Sequence, residues 1–186
     1  MNFDLRDIAK IICTADQRAD DLAKVHNQLR SLAAKRLITE PDAPEVYGPR
    51  GALLYQADSV FRARLLLVLV DLGFESDSLR QVYASACANR TIHTEGGGRD
   101  LNLREVIRQY AEHTQNAFTL EITASRAYTL GFHAQWLMNS ERFGRADPMD
   151  LDSEVLGRTI EAVIQIPVHN IFAPLPAALD AMERGE

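Results

Sequence analysis

Cysteine is scarce in this sequence: Cys13 and Cys87 are its two, and they form neither a disulfide framework nor a metal-ligand spacing. Long hydrophobic runs are also lacking. Nowhere do about 18 apolar residues follow one another, so no membrane-spanning helix is expected. The first residues, Met1 to Asp7, have no basic flank and no apolar stretch of the secretory kind. The expectation from these absences is a reduced, cytoplasmic protein without a membrane partner. His26, His93, His113, His133 and His169 are dispersed and show neither His-x-x-x-His nor His-Glu-x-x-His spacing. His113 and His133 meeting in space stays open beside the plainer reading of isolated histidines as surface or core groups. No Gly-x-Ser-x-Gly elbow and no Cys–His signature is present. The triplet Gly96–Gly98 lacks the Lys-Ser/Thr of a phosphate loop. Asp147, Asp150, Asp152 and Glu154 lack calcium-loop spacing, and a capped helix start explains them better. The chain is therefore read as no enzyme, with no cofactor and no metal.

What is present is ordinary globular composition, 46% hydrophobic and 25% charged. Its 186 residues suffice for one large domain or two small ones. A net charge of −6 argues against indiscriminate attraction to phosphate. The sign is unevenly spread, however. Acidic residues dominate the two ends, whereas Arg30, Lys35, Arg36, Arg50, Arg62 and Arg64 share one stretch, which favours a local basic face. No internal repeat is visible.

Leu5, Ile8, Ala9 and Ile12 recur at helical spacing behind a capping Asp4, and predict a short helix over Asp4–Ile12. Thr14 to Asp16 offers a second cap for a longer helix to about Arg36, with Leu22, Val25, Leu29 and Leu32 on its apolar stripe. Glu40–Pro44 breaks the helix. Val46-Tyr47 and Leu53-Leu54-Tyr55 then bracket Gly48-Pro49-Arg50-Gly51, which predicts a hairpin. Arg50 at its tip reads equally as a phosphate contact or as a solvated turn residue. Gln56–Leu72 is an apolar helix ended by Gly73. Ser76 or Asp77 caps another through about Ala88. Thr94–Asp100 is expected to be a domain junction or a flexible loop. Beyond it Leu101–Gln115 reads as helix, and Phe118–Thr123 alternates as a half-buried strand with Tyr128–Leu137 as its partner. Asp152 or Ser153 caps a predicted helix to about Ile166, ahead of Pro167 and a proline-containing tail.

Leu29-Arg30 followed by Lys35-Arg36-Leu37-Ile38, the segment Gly51-Ala52-Leu53-Leu54-Tyr55, and the run Arg62, Arg64, Leu65, Leu66, Leu69, Asp71-Leu72-Gly73-Phe74 resemble the MerR family of winged helix-turn-helix DNA-binding proteins. Leu79-Arg80 continues the match, which covers roughly residues 3–88. The chain departs from the family at Asn27, Ser31 and Leu32, where an arginine and aromatic residues usually contact phosphates. It departs also at Arg36, which replaces a glycine, and at Ala52 and Leu53. Leu67, Val68 and Val70 stand where the family is commonly charged, so their helix is apolar nearly all round and needs cover on a second face. The C-terminal half is the preferred cover; a partner subunit is the alternative.

The whole reads as an α+β, predominantly α chain: the resemblance implies an N-terminal winged helix-turn-helix over residues 1–93, and the residue patterning beyond it a small C-terminal helix–hairpin–helix domain over 101–186 that resembles no recognised family. The resemblance implies a sequence-specific regulator of transcription that binds double-stranded DNA. Gln28 would pair with adenine and Arg30 with guanine, while Asn27 would do base or phosphate work. Ser31 adds a polar group to the same surface, and Arg36 closes the helix. Lys35, Arg50, Arg62 and Arg64 would hold phosphates. The C-terminal half would serve oligomerisation as a homodimer, a protein partner, or ligand sensing. Its aromatic face (Phe118, Tyr128, Phe132, Trp136) reads as a core before it reads as a pocket. The rival reading is a degenerate winged helix that binds a protein and no longer touches DNA, favoured by the missing phosphate-binding aromatics and the net acidity.

Overall fold

A computed structural model of the chain describes residues 2–39, 46–48, 51–88, 90–94, 97–112, 117–126, 129–138 and 159–185. The chain mixes α and β structure and divides into two compact units: Met1–Gly73 with Asn170–Glu186, and Phe74–His169.

In the first unit, helix α1 spans Leu5–Ala15. The Asp4 carboxylate accepts from the amides of Arg6 and Asp7 at 2.8 and 2.9 Å, and Asp7 accepts in return from the Asp4 amide. This capping box satisfies amides that the first turn leaves without partners. Thr14–Asp16 is not a cap, as expected from sequence, but the end of α1. The Arg18 amide reaches back to the Cys13 carbonyl at 2.9 Å, with Gln17 between them at a φ of 55°. A 3₁₀ turn, Ala19–Asp21, leads into helix α2, Leu22–Ala34, which buries Val25, Leu29 and Leu32. Strands β1 (Val46–Tyr47) and β2 (Leu53–Leu54) pair antiparallel. Next to them, Tyr55 and Phe3 exchange two backbone hydrogen bonds of 2.8 Å, which fastens the chain's beginning to the hairpin.

Helix α3, Ala57–Asp71, is buried on nearly every side, including Phe61, Leu65, Leu66, Leu67 and Leu69. Its second cover comes from the far end of the chain. After a short turn of helix α6 (His169–Phe172), helix α7 (Leu175–Arg184) packs on both α1 and α3. Phe172 stands edge-on to Phe61, with ring centroids 5.3 Å apart. The apolar excess of α3 is thus the sequence record of this return.

The second unit begins at Phe74, ahead of the expected junction. Thr94 and Gly97–Asp100 belong to paired strands instead: β3 (Arg90–Thr94) pairs with β4 (Gly97–Leu101), Thr94 opposite Gly97. Before and after them along the chain come helices α4 (Ser76–Cys87) and α5 (Leu103–Ala111). A three-stranded antiparallel sheet follows, in the order β6 (Leu130–Met138), β5 (Phe118–Arg126), β7 (Thr159–Pro167). The strand β7 replaces the helix expected to run to Ile166. Phe118 and Trp136 are core residues, and the Trp136 indole donates to the Ala86 carbonyl at 2.8 Å, so two members of the aromatic face belong to a core. Phe132 meets Phe74 edge-on, and Tyr128 lies outside the described residues. On the sheet's other face Glu121 is buried, its carboxylate accepting from the side-chain amides of Gln135 and Gln165 on the two neighbouring strands.

Candidate nucleic-acid interface

Three residues turn α2 inwards, and what they leave outside decides the candidate surface. Val25, Leu29 and Leu32 recur at three- and four-residue spacing, so one stripe of the helix is buried. The opposite stripe carries Lys24, Asn27, Arg30 and Ser31, all exposed, interspersed with exposed Ala23 and Ala34. Among the described residues, none of those four polar side chains has a hydrogen-bond or ion-pair partner. Polar groups held on a rigid helix and bonded only by water are available to a ligand at little cost in reorganisation.

The helix ends in a geometry that glycine usually occupies. Arg36 has a φ of 56°, its amide donates to the Ala33 carbonyl at 2.8 Å, and the Leu37 amide reaches the Leu32 carbonyl at 3.2 Å. Leu37 and Ile38 are thereby turned into the core, while Arg36 remains exposed. Lys35, at the cap position, is half-buried.

The structure divides the nine residues expected to touch DNA. Asn27, Arg30, Ser31 and Arg36 are exposed on or beside α2. Gln28 lies at its flank, half-buried, and its amide donates to Asp71 of α3 at 3.4 Å, away from the outer stripe. Arg50 lies outside the described residues.

Arg62 and Arg64 are corrections. Arg62 is 2% exposed, within the helix that α1 and α7 enclose, and a guanidinium so buried cannot reach a phosphate. Arg64 donates through Nε to Asp16 at 3.0 Å, with side-chain exposures of 13% and 14%. Burial pulls the pKa of its guanidinium down, and the Asp16 charge opposes that pull. Both arginines serve the interior of the unit. Their sequence spacing showed them on a helix, and a second cover on that helix was expected; which of its positions that cover would bury was the missing fact.

Lys24 was not among the expected residues. It stands three positions before Asn27 and seven before Ser31, spacings that share one face of a helix, and this signal was available in the sequence. Elsewhere His133 is exposed on β6 and His113 lies outside the described residues, so their meeting is not at issue in this surface. The acidic cluster Asp147–Glu154 also lies outside them. Among the described residues no group of three His, Cys, Asp or Glu side chains is placed to hold a metal ion, and no helix is long and apolar enough to cross a membrane.

No family model, curated protein or solved structure matches the chain. What the outer face of α2 does must follow from its own side chains.

Proposed function

We propose that this chain is a sequence-specific regulator that binds double-stranded DNA, using Met1–Gly73 as a MerR-type winged helix with α2 as the helix that enters the major groove. The observation that carries this reading is the outer stripe of α2: two cations and two short polar groups, exposed and without a bonding partner among the described residues, on a helix whose inner stripe is anchored. An α-helix of ordinary diameter fits the major groove, where base edges present distinguishable donors and acceptors. Three further features support it. The order α1, α2, hairpin, α3 is the one a winged helix needs, and the Phe3–Tyr55 bridge ties the hairpin's base to the chain's start. Arg36, where the resemblance expects glycine, takes up the left-handed conformation glycine favours. Net acidity is no obstacle, because the cations of α2 are local to one face.

In this reading Arg30 and Lys24 meet phosphates or base edges, Arg36 and Lys35 flank the contact, and Phe74–His169 supplies the homodimer contact, a protein partner or an effector site. The loss of Arg62 and Arg64 to the interior favours the second reading, a winged helix that docks a protein, because it halves the cations left for phosphate beyond α2.

Binding of the full-length chain to a pool of duplex DNA at several salt concentrations separates the two. For the regulator, Kd weakens steeply with salt, and Arg30→Ala or Lys24→Ala each lowers the slope of log K against log salt by about 1. Absence of any duplex binding at low salt overturns the regulator and leaves the protein-docking reading.

A further inference from the structure

We infer that Asn27 is the residue by which α2 reads sequence, and that the base it reads is adenine; the inference rests on the DNA-binding reading above. At 3.6 residues per turn, Asn27 lies about 15° from the line opposite the buried stripe of Val25, Leu29 and Leu32, closer than any other polar residue of α2. It is thus the polar group that approaches deepest when the exposed stripe faces a groove. Its neighbours along that line are small: Ala23 precedes it by four positions, Ala34 follows it by seven, and Ser31 stands one turn on. A short amide contacts a base edge only where the residues around it let the helix axis come close, and alanines allow that.

The long side chains stand where phosphates would be. Lys24 and Arg30 precede and follow Asn27 by three residues, which places them about 60° to either side of it. One helix therefore presents a short amide in the middle and a long cation on each flank, the cross-section of a groove with bases at its floor and phosphates on both walls. The asparagine amide offers a donor beside an acceptor. In the major groove adenine offers N7 as acceptor and N6 as donor side by side, so the amide nitrogen donates to N7 while the amide oxygen accepts from N6. Gln28, the other amide on this helix, is directed to Asp71 at the flank and does not compete for that place.

Selection of duplexes from a randomised pool by the full-length chain, followed by Kd measurement on the selected site and its single-base variants, tests this. The expected result is one adenine whose replacement weakens wild-type binding on the order of tenfold, a discrimination that falls below about twofold in Asn27→Ala and persists in Gln28→Ala. Asn27→Ala is exposed and mid-helix, and alanine favours helix, so its fold is retained. Selected sites whose base preferences are the same in Asn27→Ala as in wild type overturn the inference and leave the DNA-binding reading standing. So does an Asn27→Ala that loses affinity equally for every sequence, which marks a phosphate contact. A pool from which wild type selects nothing and to which it does not bind overturns the DNA-binding reading and this inference with it.

Discussion

Arg64 on α3 donates through Nε to the Asp16 carboxylate at the end of α1, across 3.0 Å. The second Asp16 oxygen stands 2.9 Å from Arg18 Nε, an ion pair whose angle makes no hydrogen bond. One carboxylate therefore sits between two cations where α1 turns towards α2, and it fixes that turn against α3. Removing half of a buried ion pair leaves the other charge uncompensated, which costs more than the pair itself contributes. Asp16→Ala is expected to lower stability by about 3 kcal/mol, and adding Arg64→Met to recover most of the loss. Urea unfolding of both variants checks this. A single variant that loses less than about 0.5 kcal/mol, the scale of an exposed pair, refutes the structural role.

Gln17 and Arg36 occupy left-handed positions, with φ of 55° and 56°, at the exits of α1 and α2. Both exits carry the paired backbone hydrogen bonds that end helices on such a residue. A side chain at positive φ crowds its own backbone by about 1 kcal/mol or more, and glycine does not. Gln17→Gly and Arg36→Gly are each expected to raise stability by about 0.5 kcal/mol after glycine's greater freedom in the unfolded chain is counted. Denaturant midpoints that fall in both variants would show the φ values to be unstrained.

The elements most legible in the sequence are those whose apolar positions repeat locally. Asp4 before Leu5, Ile8 and Ile12 announced α1, and the Gly48–Gly51 turn announced the hairpin. Where distant packing decides, the sequence was ambiguous. Ile160, Val163 and Ile164 are spaced for a helix and are equally β-branched; they form β7 because β5 offers a backbone edge to pair with, a partner no local pattern displays. Glu121 alternates onto the polar side of β5 yet is 1% exposed, because Gln135 and Gln165 on both neighbours close over its carboxylate. Arg62 and Arg64 read as cations on an accessible helix, but α1, α2 and the returning α7 all pack on it, and no local pattern displays which of its positions they cover. Of the candidate surface, Asn27, Arg30 and Ser31 were legible from helical spacing, and Lys24 should have been.

Cys13 is buried in α1, and burial raises the pKa of its thiol, with Asp16 and Asp21 acting in the same direction and Arg18 and Arg64 opposing. A raised thiol pKa means less thiolate at a given pH, and the thiolate is the nucleophile. Alkylation of the native chain at pH 8 is therefore expected to modify Cys13 far more slowly than the half-buried Cys87, and both at similar rates once the chain is unfolded. Mass spectrometry of a labelling time course resolves the two sites. Equal native rates would place Cys13 in contact with solvent.

Phe172 precedes α7 and sets its ring against Phe61 at an interplanar angle of 88°, with no exposure of its own. Truncating a fully buried aromatic leaves a cavity as well as losing its transfer free energy, about 3–5 kcal/mol together. Phe172→Ala is expected to cost that much in urea unfolding, as large a loss as a core residue of α3 would show, although it stands near the chain's other end. Phe61→Leu then tests the partnership. Because the two rings share one contact, the double variant should lose less than the sum of the single losses by about 0.5–1.5 kcal/mol, the coupling usual for an aromatic pair. Strict additivity would mean that Phe172 and Phe61 are buried independently, with nothing gained from their mutual contact.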